Sequence, residues 1–258
     1  MLRAIDETRA NVARLFEREN STILKSYLEG HMGEAWVDRL DNPTAAQVRV
    51  DIFTFYAGDV NSPSSQEMIR NLGEHNLIVT KQEDWKREIE KIHLEAAKFP
   101  RYSFHQDPSV LDQEKLRCFI KELPKEYEIR PIDRTVLNDP QLERVMIQVI
   151  QCFDSVDDYL KRGFGYCIYK GDVLVSAALP FSIYNKGVEI DIATHEDYRG
   201  KGLATVTAAV MMLECLKRGL YPNWDAANET SYKLALKLRY EFDEAYDTYY
   251  VNVGSDNE

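Results

Sequence analysis

One short turn of this chain has the residue types and spacing of an anion-binding site. Residues 199–204 read Arg-Gly-Lys-Gly-Leu-Ala and fit the pattern Arg-x-x-Gly-x-Ala. A strand-like segment, 188–194, precedes the turn, and an apolar helical pattern follows it. Glycine lets a ligand approach the backbone closely, and the unpaired N–H groups and dipole of a helix N-terminus attract negative charge. With Arg199 and Lys201 as side-chain cations, the turn predicts a site for a phosphorylated ligand.

Composition indicates a globular protein and excludes several classes of function. The chain has 258 residues, 44% hydrophobic and 29% charged, which is enough for one large domain or two small ones. A net charge of −11 argues against non-specific nucleic-acid binding and is compatible with a cationic substrate such as an amine. The chain has no long uncharged apolar run and no signal-peptide core, so we expect no membrane insertion.

Cysteine and histidine usage indicates a reducing compartment and no metal centre. The 4 cysteines are far apart and none forms a C-x-x-C pair, which is typical of buried thiols in a cytoplasmic protein. The 5 histidines are equally scattered. We therefore expect a cytoplasmic protein without a bound metal.

The second half of the chain shows a continuous alternation of strand and helix patterns. A first strand precedes Asp139-Pro140, which is a typical helix start, and Ser155 begins a second short helix. The first of these helices is predicted to continue through the apolar residues 145–150. The predicted elements that follow are a hairpin around 170–172, the strand 188–194, a helix ending at 219, a strand at 222–227, a helix from 228 and a strand at 246–253.

The first half carries no comparable chemical signature. Its patterns predict a helix over 3–30, a strand over 48–56, a short strand at 77–79 and amphipathic helices beginning at 83 and 112. No internal repeat is visible. Residues 101–107 combine aromatic, histidine and acidic side chains, and we interpret them as an aromatic loop packed on the second half, with an acceptor pocket as the alternative.

Over about residues 126–253 this arrangement resembles the GNAT superfamily of N-acetyltransferases. The shared features are the strand order, the glycine turn and the helix start Asn228-x-x-Ser231. The segments 194–204 and 222–228 look more specifically like the branch typified by zwittermicin A resistance acetyltransferases. The resemblance implies an α/β fold with a mixed, mostly antiparallel sheet flanked by helices in residues 124–258. A smaller, helix-rich α/β domain of unknown role would occupy residues 1–123.

The resemblance also implies acetyl-CoA as the cosubstrate. In GNAT proteins the fourth strand splays from the fifth, and acetyl-CoA lies in the V-shaped opening. The turn would then bind the pyrophosphate, the end of the strand would pair with the pantetheine arm, and the second helix start would contact the cofactor nearer its thiol. The residues implied for cofactor binding are Ile192, Ala193, Thr194, Arg199, Gly200, Lys201, Gly202, Leu203, Ala204, Asn228 and Ser231.

The expected reaction is direct attack of a neutral amine on the thioester through a tetrahedral oxyanion. A protonated amine first needs a base, and Glu189 and Asp191 are candidates because they are two apart and share one face of the strand. Glu189 is the preferred base, and the other carboxylate would bind a cationic acceptor. The alternative is that the two carboxylates form a solvent-facing acidic row and have no catalytic role. His195 is a third candidate base, although a loop histidine is the simpler interpretation.

Two positions depart from the family pattern. Ala235 stands where many GNAT members have the tyrosine that protonates the leaving thiolate, so that proton comes from elsewhere or is not needed. Tyr232 and Ser231 are close in sequence, but Tyr232 is equally plausible as a packing residue. Arg239 stands where relatives usually have glycine after the helix.

The predicted function is acetyl-CoA-dependent N-acetyltransfer to a small-molecule amine, with antibiotics among the candidate acceptors. One alternative is a CoA-binding sensor that has lost catalysis, and another is an acyltransferase that uses a longer acyl-CoA. The partners expected are the small-molecule amine alone, without nucleic acid or membrane, and a homodimer is left open.

Overall fold

The computed structural model of the chain describes residues 1–146 and 150–253. The chain folds into two compact units. Unit 1 is Met1–Arg101 together with the C-terminal segment that begins at Ala245, and unit 2 is Tyr102–Glu244. In the described ranges, none of the helices is long and apolar enough to cross a bilayer.

The first part of the chain folds into short helices and strands. In chain order its elements are β1 (Leu2–Arg3), α1 (Arg9–Leu15), α2 (Thr22–Leu28), β2 (Glu34–Val37), β3 (Ala45–Val50), β4 (Phe53–Gly58), α3 (Pro63–Arg70), β5 (His75–Val79), α4 (Glu83–Ile92), β6 (Ala97–Phe104) and α5 (Gln113–Lys121). Short 3-10 turns precede α1 and α5.

The second part of the chain continues with alternating helices and strands. Its elements are β7 (Tyr127–Pro131), α6 (Arg134–Leu137), α7 (Pro140–Val145), α8 (Val156–Arg162), β8 (Tyr166–Lys170), β9 (Val173–Tyr184), β10 (Gly187–Thr194), α9 (Leu203–Lys217), β11 (Tyr221–Asn223), α10 (Glu229–Lys237) and β12 (Phe242–Asn252).

The larger sheet has the strand order β1-β2-β3-β4-β5-β12-β6. Its β4 and β5 are parallel and are joined through α3, with the register running from Phe53–Leu77 to Phe55–Val79. Beyond that register, the end of β4 is closed by a side chain of α4. The indole N–H of Trp85, which is fully buried, donates to the carbonyl of Gly58 at 3.0 Å.

The smaller sheet, in unit 2, has the order β11-β10-β9-β8-β7. Neighbouring strands are antiparallel except β10 and β11, which are parallel and joined through α9. Buried residues of α9 share a hydrophobic cluster with α5 and with Val188 and Ile190 of β10. This packing places α9 on one face of the sheet, so the glycine turn before it lies where β10 ends. The predicted α/β fold with a mixed, mostly antiparallel sheet is confirmed.

The structure corrects several details of the first half. Residues 3–30 were predicted as one helix, but two short helices form because Ser21 caps a new helix through its side chain. The predicted strand at 48–56 is a hairpin, since Asp51 adopts a positive φ of 51° and turns the chain back. A predicted continuation of α7 over 147–149 lies outside the described residues.

The two units also divide the chain differently from the expected boundary at 123/124. The division follows packing: α5 packs on α9 and shares its hydrophobic cluster, so it belongs to unit 2. The C-terminal segment from Ala245 returns to unit 1 because β12 pairs with β5. Unit 1 combines several helices with a sheet whose hairpin and edge strands are too short to give a clear alternating pattern in the sequence.

Candidate active site

The glycine turn has the backbone geometry of an anion cradle. Gly200 and Gly202 adopt positive φ values of 76° and 78°, a left-handed conformation that side chains with a Cβ disfavour. Gly202 is the N-cap residue of α9 and supplies no side-chain cap, so the first N–H groups of this helix are left for another acceptor. A Cβ placed on either glycine would meet nothing within 4 Å. The turn therefore has room for a ligand beside its two glycines.

Two cations lie beside this cradle and are held by the loop before it. The Nε of Arg199 donates to the carbonyl of Thr194 at 3.2 Å. Lys201 donates to the carbonyl of Asp197 at 3.0 Å, and its ammonium lies 4.5 Å from the ring centre of Tyr198. Both side chains belong to exposed residues, which suits contact with a mobile anionic ligand.

The N-terminus of α9 is anchored by apolar and polar contacts to β8, β9 and β10. Leu203 is buried in a cluster with residues of β8 and β9. The hydroxyl of Thr207 lies 2.9 Å from that of Ser176, which in turn donates to the carbonyl of Ala193 and lies 3.0 Å from the hydroxyl of Thr194. These hydroxyls fix the cradle relative to the end of β10.

The end of β10 offers an unpaired backbone edge next to the cradle. β10 pairs with β9 through Thr194, but with β11 only from Gly187 to Glu189. The two parallel strands therefore separate beyond Glu189. Sequence motifs indicated such a separation only through family resemblance, whereas the structure gives its position.

The hydrogen bonds on the two sides of β10 identify which backbone groups face the gap. The N–H of His195 donates to Val175 of β9 at 2.9 Å, and the N–H of Tyr221 of β11 donates to the carbonyl of Lys186 at 2.7 Å. Because backbone groups of successive strand residues point to opposite edges, the N–H and C=O of Ile192 face the β11 side. Those of Thr194 face the same way, while the carbonyl of Ala193 faces Ser176 on β9.

The two acidic residues of β10 lie in different environments on one face. Val188 and Ile190 point into the α9 cluster, so Glu189 and Asp191 project from the opposite face. Glu189 is only 4% exposed and accepts a hydrogen bond of 2.5 Å from the side-chain amide of Asn223. Asp191 is half-buried. A solvent-facing acidic row, the alternative interpretation, is therefore wrong for Glu189.

His195 is engaged in the loop that follows β10. Its Nδ1 accepts a hydrogen bond of 3.3 Å from the N–H of Asp197, which caps the short 3-10 turn Glu196–Tyr198. Its ring also meets that of Tyr198 edge-on. These contacts match the interpretation of His195 as a loop histidine.

The second motif forms the start of α10. The side-chain oxygen of Asn228 accepts a hydrogen bond from the N–H of Ser231 at 3.0 Å, as the capping pattern predicted. The hydroxyl of Ser231 accepts from the indole of Trp224, which is buried. Both residues thus have structural partners, and neither partner prevents a contact with a ligand from the exposed side of Asn228.

The expected tyrosine position holds a side chain without a phenol. Ala235 is fully buried. Tyr232 packs in an aromatic cluster, with ring centres 4.9 Å from Tyr102 and 5.9 Å from Phe104. The packing interpretation of Tyr232 is thereby supported, and the residues after 101 form part of a strand and this cluster. Arg239 adopts a left-handed φ of 78° in the place of the usual glycine.

The structure adds residues that sequence reasoning missed. Asn223, Ser182, Ser176 and Thr207 are all buried and all lie beside predicted site residues. Their contacts depend on which residues face each other across strands, which no local spacing reveals. In the two described ranges, no cluster of His, Cys, Asp or Glu could hold a metal ion.

Comparisons with known proteins agree with this geometry. A family model described as GNAT acetyltransferase matches residues 13–249. An uncharacterized N-acetyltransferase, YdfB of Bacillus subtilis (strain 168), is 30% identical over 131 residues, 50% of each chain. The match thus spans about half the length of that curated relative.

Solved structures extend the similarity over nearly the whole chain. The crystal structure of a GCN5-related N-acetyltransferase-like protein from Streptococcus suis 89/1591 is 34% identical, with a TM-score of 0.86, and the match covers 94% of this chain and 98% of that one. A tandem GNAT protein from the clavulanic acid biosynthesis pathway has a TM-score of 0.57 at 9% identity, over 98% of this chain and 97% of its own, and supports the fold alone.

Proposed function

Because this chain belongs to the GNAT acetyltransferase family, we propose that it transfers an acetyl group from acetyl-CoA to the amine of a small molecule. The observation that carries this proposal is the open edge of β10, which runs directly into the glycine cradle at the N-terminus of α9. The buried carboxylate of Glu189 lies on the same strand as that edge. Family membership supplies the enzyme class, and the site supplies the roles proposed below.

The cradle and the strand edge divide the binding of CoA between them. The N–H groups of residues 200–204, with Arg199 and Lys201, hold the pyrophosphate at the helix N-terminus. The carbonyl of Ile192 and the N–H of Thr194 pair with the amide-bearing pantetheine arm along the unpaired edge, with Ala193 between them. Asn228 and Ser231 contact the cofactor nearer its thiol. Left-handed glycines with open space above them support a ligand at van der Waals distance from the backbone.

Catalysis in this proposal rests on positioning and on one base. The amine attacks the thioester carbonyl, and the N–H of Ile192 donates to the carbonyl oxygen as negative charge develops on it. Glu189 removes the proton of the attacking amine, directly or through water. Asp191, half-buried and on the same face, attracts a cationic acceptor. Since a thiolate is a good leaving group, the buried Ala235 leaves no essential proton donor missing.

The negative charge of the protein and of its candidate site indicates the chemical class of the acceptor. A net charge of −11 and the carboxylate of Asp191 favour a cationic amine over an anionic substrate. The resemblance to the zwittermicin A resistance branch brings amine-bearing antibiotics into the set to be tested. The 4 cysteines are free thiols in the structure, which supports a cytoplasmic location.

Thermal melting tests cofactor binding, and thiol release tests turnover. Acetyl-CoA at 100 times its Kd should stabilise the protein by about 2.7 kcal/mol. A panel of polyamines, aminoglycosides, amino acids and peptides should reveal acceptor-dependent thiol release. Absence of any shift with acetyl-CoA or CoA would contradict the proposal. Binding without turnover on any acceptor would favour a sensor, and faster turnover with longer acyl-CoA would favour the broader acyltransferase.

Two neighbouring variants separate the proposed carboxylate roles. Glu189→Gln should lower kcat and leave CoA binding near normal, because it removes the base and keeps the shape. Asp191→Asn should mainly raise the KM of a cationic acceptor. Full activity of Glu189→Gln across the pH range would show that the base is elsewhere.

A further inference from the structure

Three polar side chains form a buried row across three adjacent strands. In the register of the sheet, Glu189 of β10 lies opposite Ser182 of β9 and opposite Asn223 of β11. Residues that face each other across strands project from the same face, so the three side chains are neighbours. Their exposed fractions are 4% for Glu189, 0% for Ser182 and 7% for Asn223. A carboxylate is thus enclosed between a hydroxyl and an amide.

A β-bulge borders this row. The pairing between β9 and β10 changes register between Glu189 and Ile190, so that Ile190 pairs with Pro180 while Glu189 pairs with Ser182. The pair of Glu189 with Ser182 belongs to the regular register that continues from the hairpin turn, and Phe181 is the extra residue of β9 after it. The bulge therefore lies directly beside the carboxylate, and bulges are common next to active sites.

Hydrogen bonding distinguishes the two flanking side chains. Asn223 donates its amide N–H to Oε2 of Glu189 at 2.5 Å, which fixes that carboxylate oxygen. The hydroxyl of Ser182 is buried and has no partner among the described residues. A buried hydroxyl without a partner is costly, so its placement opposite a carboxylate calls for a function. Cross-strand Cβ atoms lie about 5 Å apart, so a rotation of the serine side chain brings its hydroxyl within reach of the carboxylate.

We infer that Asn223 and Ser182 are positioning residues for Glu189, which hold its carboxylate ionised and oriented from the two neighbouring strands. This inference rests on the proposed function, in which Glu189 is the base. Both partners donate hydrogen bonds, and donors stabilise the ionised form of a carboxylic acid over its protonated form. The base is thereby kept ready although it is buried.

The phenols that face Glu189 are those of Tyr184 on the same sheet face, Tyr221 of β11, and Tyr240 after α10. Burial raises the pKa of Tyr221 and Tyr240 above the usual value, and nearby acidic groups add to the rise. Asp107, near Tyr221, and Asp191, on the same strand, are the neighbouring carboxylates. Measuring the same profiles in an Asp191→Asn background removes the effect of the Asp191 charge on Glu189.

The test compares pH profiles of kcat/KM for Asn223→Leu and Ser182→Ala with wild type. Each variant removes one hydrogen-bond donor, so the acidic limb of the profile should move to a pH about one unit higher. At neutral pH, kcat should fall about tenfold. CoA affinity, measured by calorimetry, should stay within about twofold, since neither residue is in the cradle. Ser182→Thr, which keeps the hydroxyl, should restore the wild-type limb.

Further outcomes separate this inference from the proposed function. If Glu189→Gln is inactive while Asn223→Leu and Ser182→Ala keep the wild-type profile and lose only thermal stability, the positioning role is refuted and the base assignment stands. If Glu189→Gln is fully active, the base assignment and the positioning role are both refuted. In an active but slow Glu189→Gln background, adding Asn223→Leu should change kcat no further, and an additive loss would contradict the inference.

Discussion

The hydroxyl groups of Thr207 and Ser176 lie 2.9 Å apart and join the second turn of α9 to β9. Both residues are buried, and the hydroxyl of Ser176 also donates to the carbonyl of Ala193 at the end of β10. One small group of hydroxyls therefore connects the helix that carries the glycine cradle with the strand that carries the open edge. The distance between the two halves of the candidate CoA site is set there.

Replacing Thr207 by valine tests this connection. Thr207→Val keeps the β-branched shape and removes the hydroxyl, so the free energy of unfolding should fall by about 1 kcal/mol. For a chain of this size the melting temperature should fall by about 2–4 °C. Thr207→Ser keeps the hydroxyl and serves as control, with a smaller loss from the missing methyl group. Equal destabilisation by both variants would show that packing, and not the hydroxyl, matters.

A comparison of two glycines with positive φ values distinguishes the effect of backbone strain from the exclusion of a ligand. Gly202 and Gly171 both have positive φ values, 78° and 57°, and a Cβ on either would meet nothing within 4 Å. Valine at either position should destabilise the fold by about 1–2 kcal/mol through left-handed strain. CoA affinity should be lost only in Gly202→Val, because its side chain would occupy the space above the cradle. Calorimetric titration checks this, and equal loss in Gly171→Val would contradict the site.

Arg239 offers a stabilising substitution. It is exposed, ends α10 with a left-handed φ of 78°, and its N–H and that of Tyr240 donate to carbonyls of the last helical turn. Glycine adopts this conformation without strain, so Arg239→Gly should stabilise the protein by about 0.5–1 kcal/mol after the entropy cost of glycine in the unfolded chain. Arg239→Ala, which retains a Cβ, should gain nothing. Urea denaturation of the three proteins provides the comparison.

Asp38 should make the stability of unit 1 sensitive to acid. Burial alone would raise the pKa of this carboxyl. Hydrogen bonds from the backbone of Ala45, from the hydroxyl and backbone of Thr44 and from Arg39 outweigh burial and lower the pKa to about 2. Because the pKa is lower in the folded state, the stabilisation is complete above the unfolded value of 3.8 and is lost as the pH falls towards about 2.

The matched variant for this effect is Asp38→Asn. The shift corresponds to about 2 kcal/mol, so Asp38→Asn should be less stable than wild type by roughly that amount at pH 7. The difference should shrink between pH 4 and pH 2 (about the range that the two pKa values bracket). Urea denaturation across pH measures it, and a pH-independent difference would indicate that lost packing is responsible.

Local patterns predicted the parts of the site that lie close together in sequence. The glycine turn, its cations and the Asn228 cap are each defined by residues within one turn of chain, and their backbone geometry follows from residue type. The alternation of β10 correctly placed Glu189 and Asp191 on one face, because the bulge lies on β9 and leaves β10 regular. Short-range rules of this kind depend on nothing outside the segment.

Contacts between distant segments could not be predicted in this way. The partner of Glu189 is Asn223, 34 residues later, and its position depends on the register of β11 against β10. The registers of short strands are set by the whole sheet. In unit 1 the same limit hid β2 and the order of the strands, because β2, β3 and β4 are brief and the last strand that completes the pairing comes from the far end of the chain.

The closed end of β4 has a consequence for the number of catalytic centres. Phe55 is the last residue of β4 paired with the parallel strand β5, as Glu189 is the last residue of β10 paired with β11. Three positions further, the carbonyl of Gly58 accepts a hydrogen bond from Trp85, whereas Ile192 lies beyond the last residue of β10 that pairs with β11. Both units follow one strand–helix–parallel-strand plan, although their sequences show no repeat.

The two units therefore share one architecture, and in unit 1 a side chain occupies the strand edge that corresponds to the candidate CoA site. In unit 1 an aromatic ring stands at the position of the candidate base, and an indole fills the edge that a pantetheine arm would need. We therefore expect that one molecule of CoA binds per polypeptide.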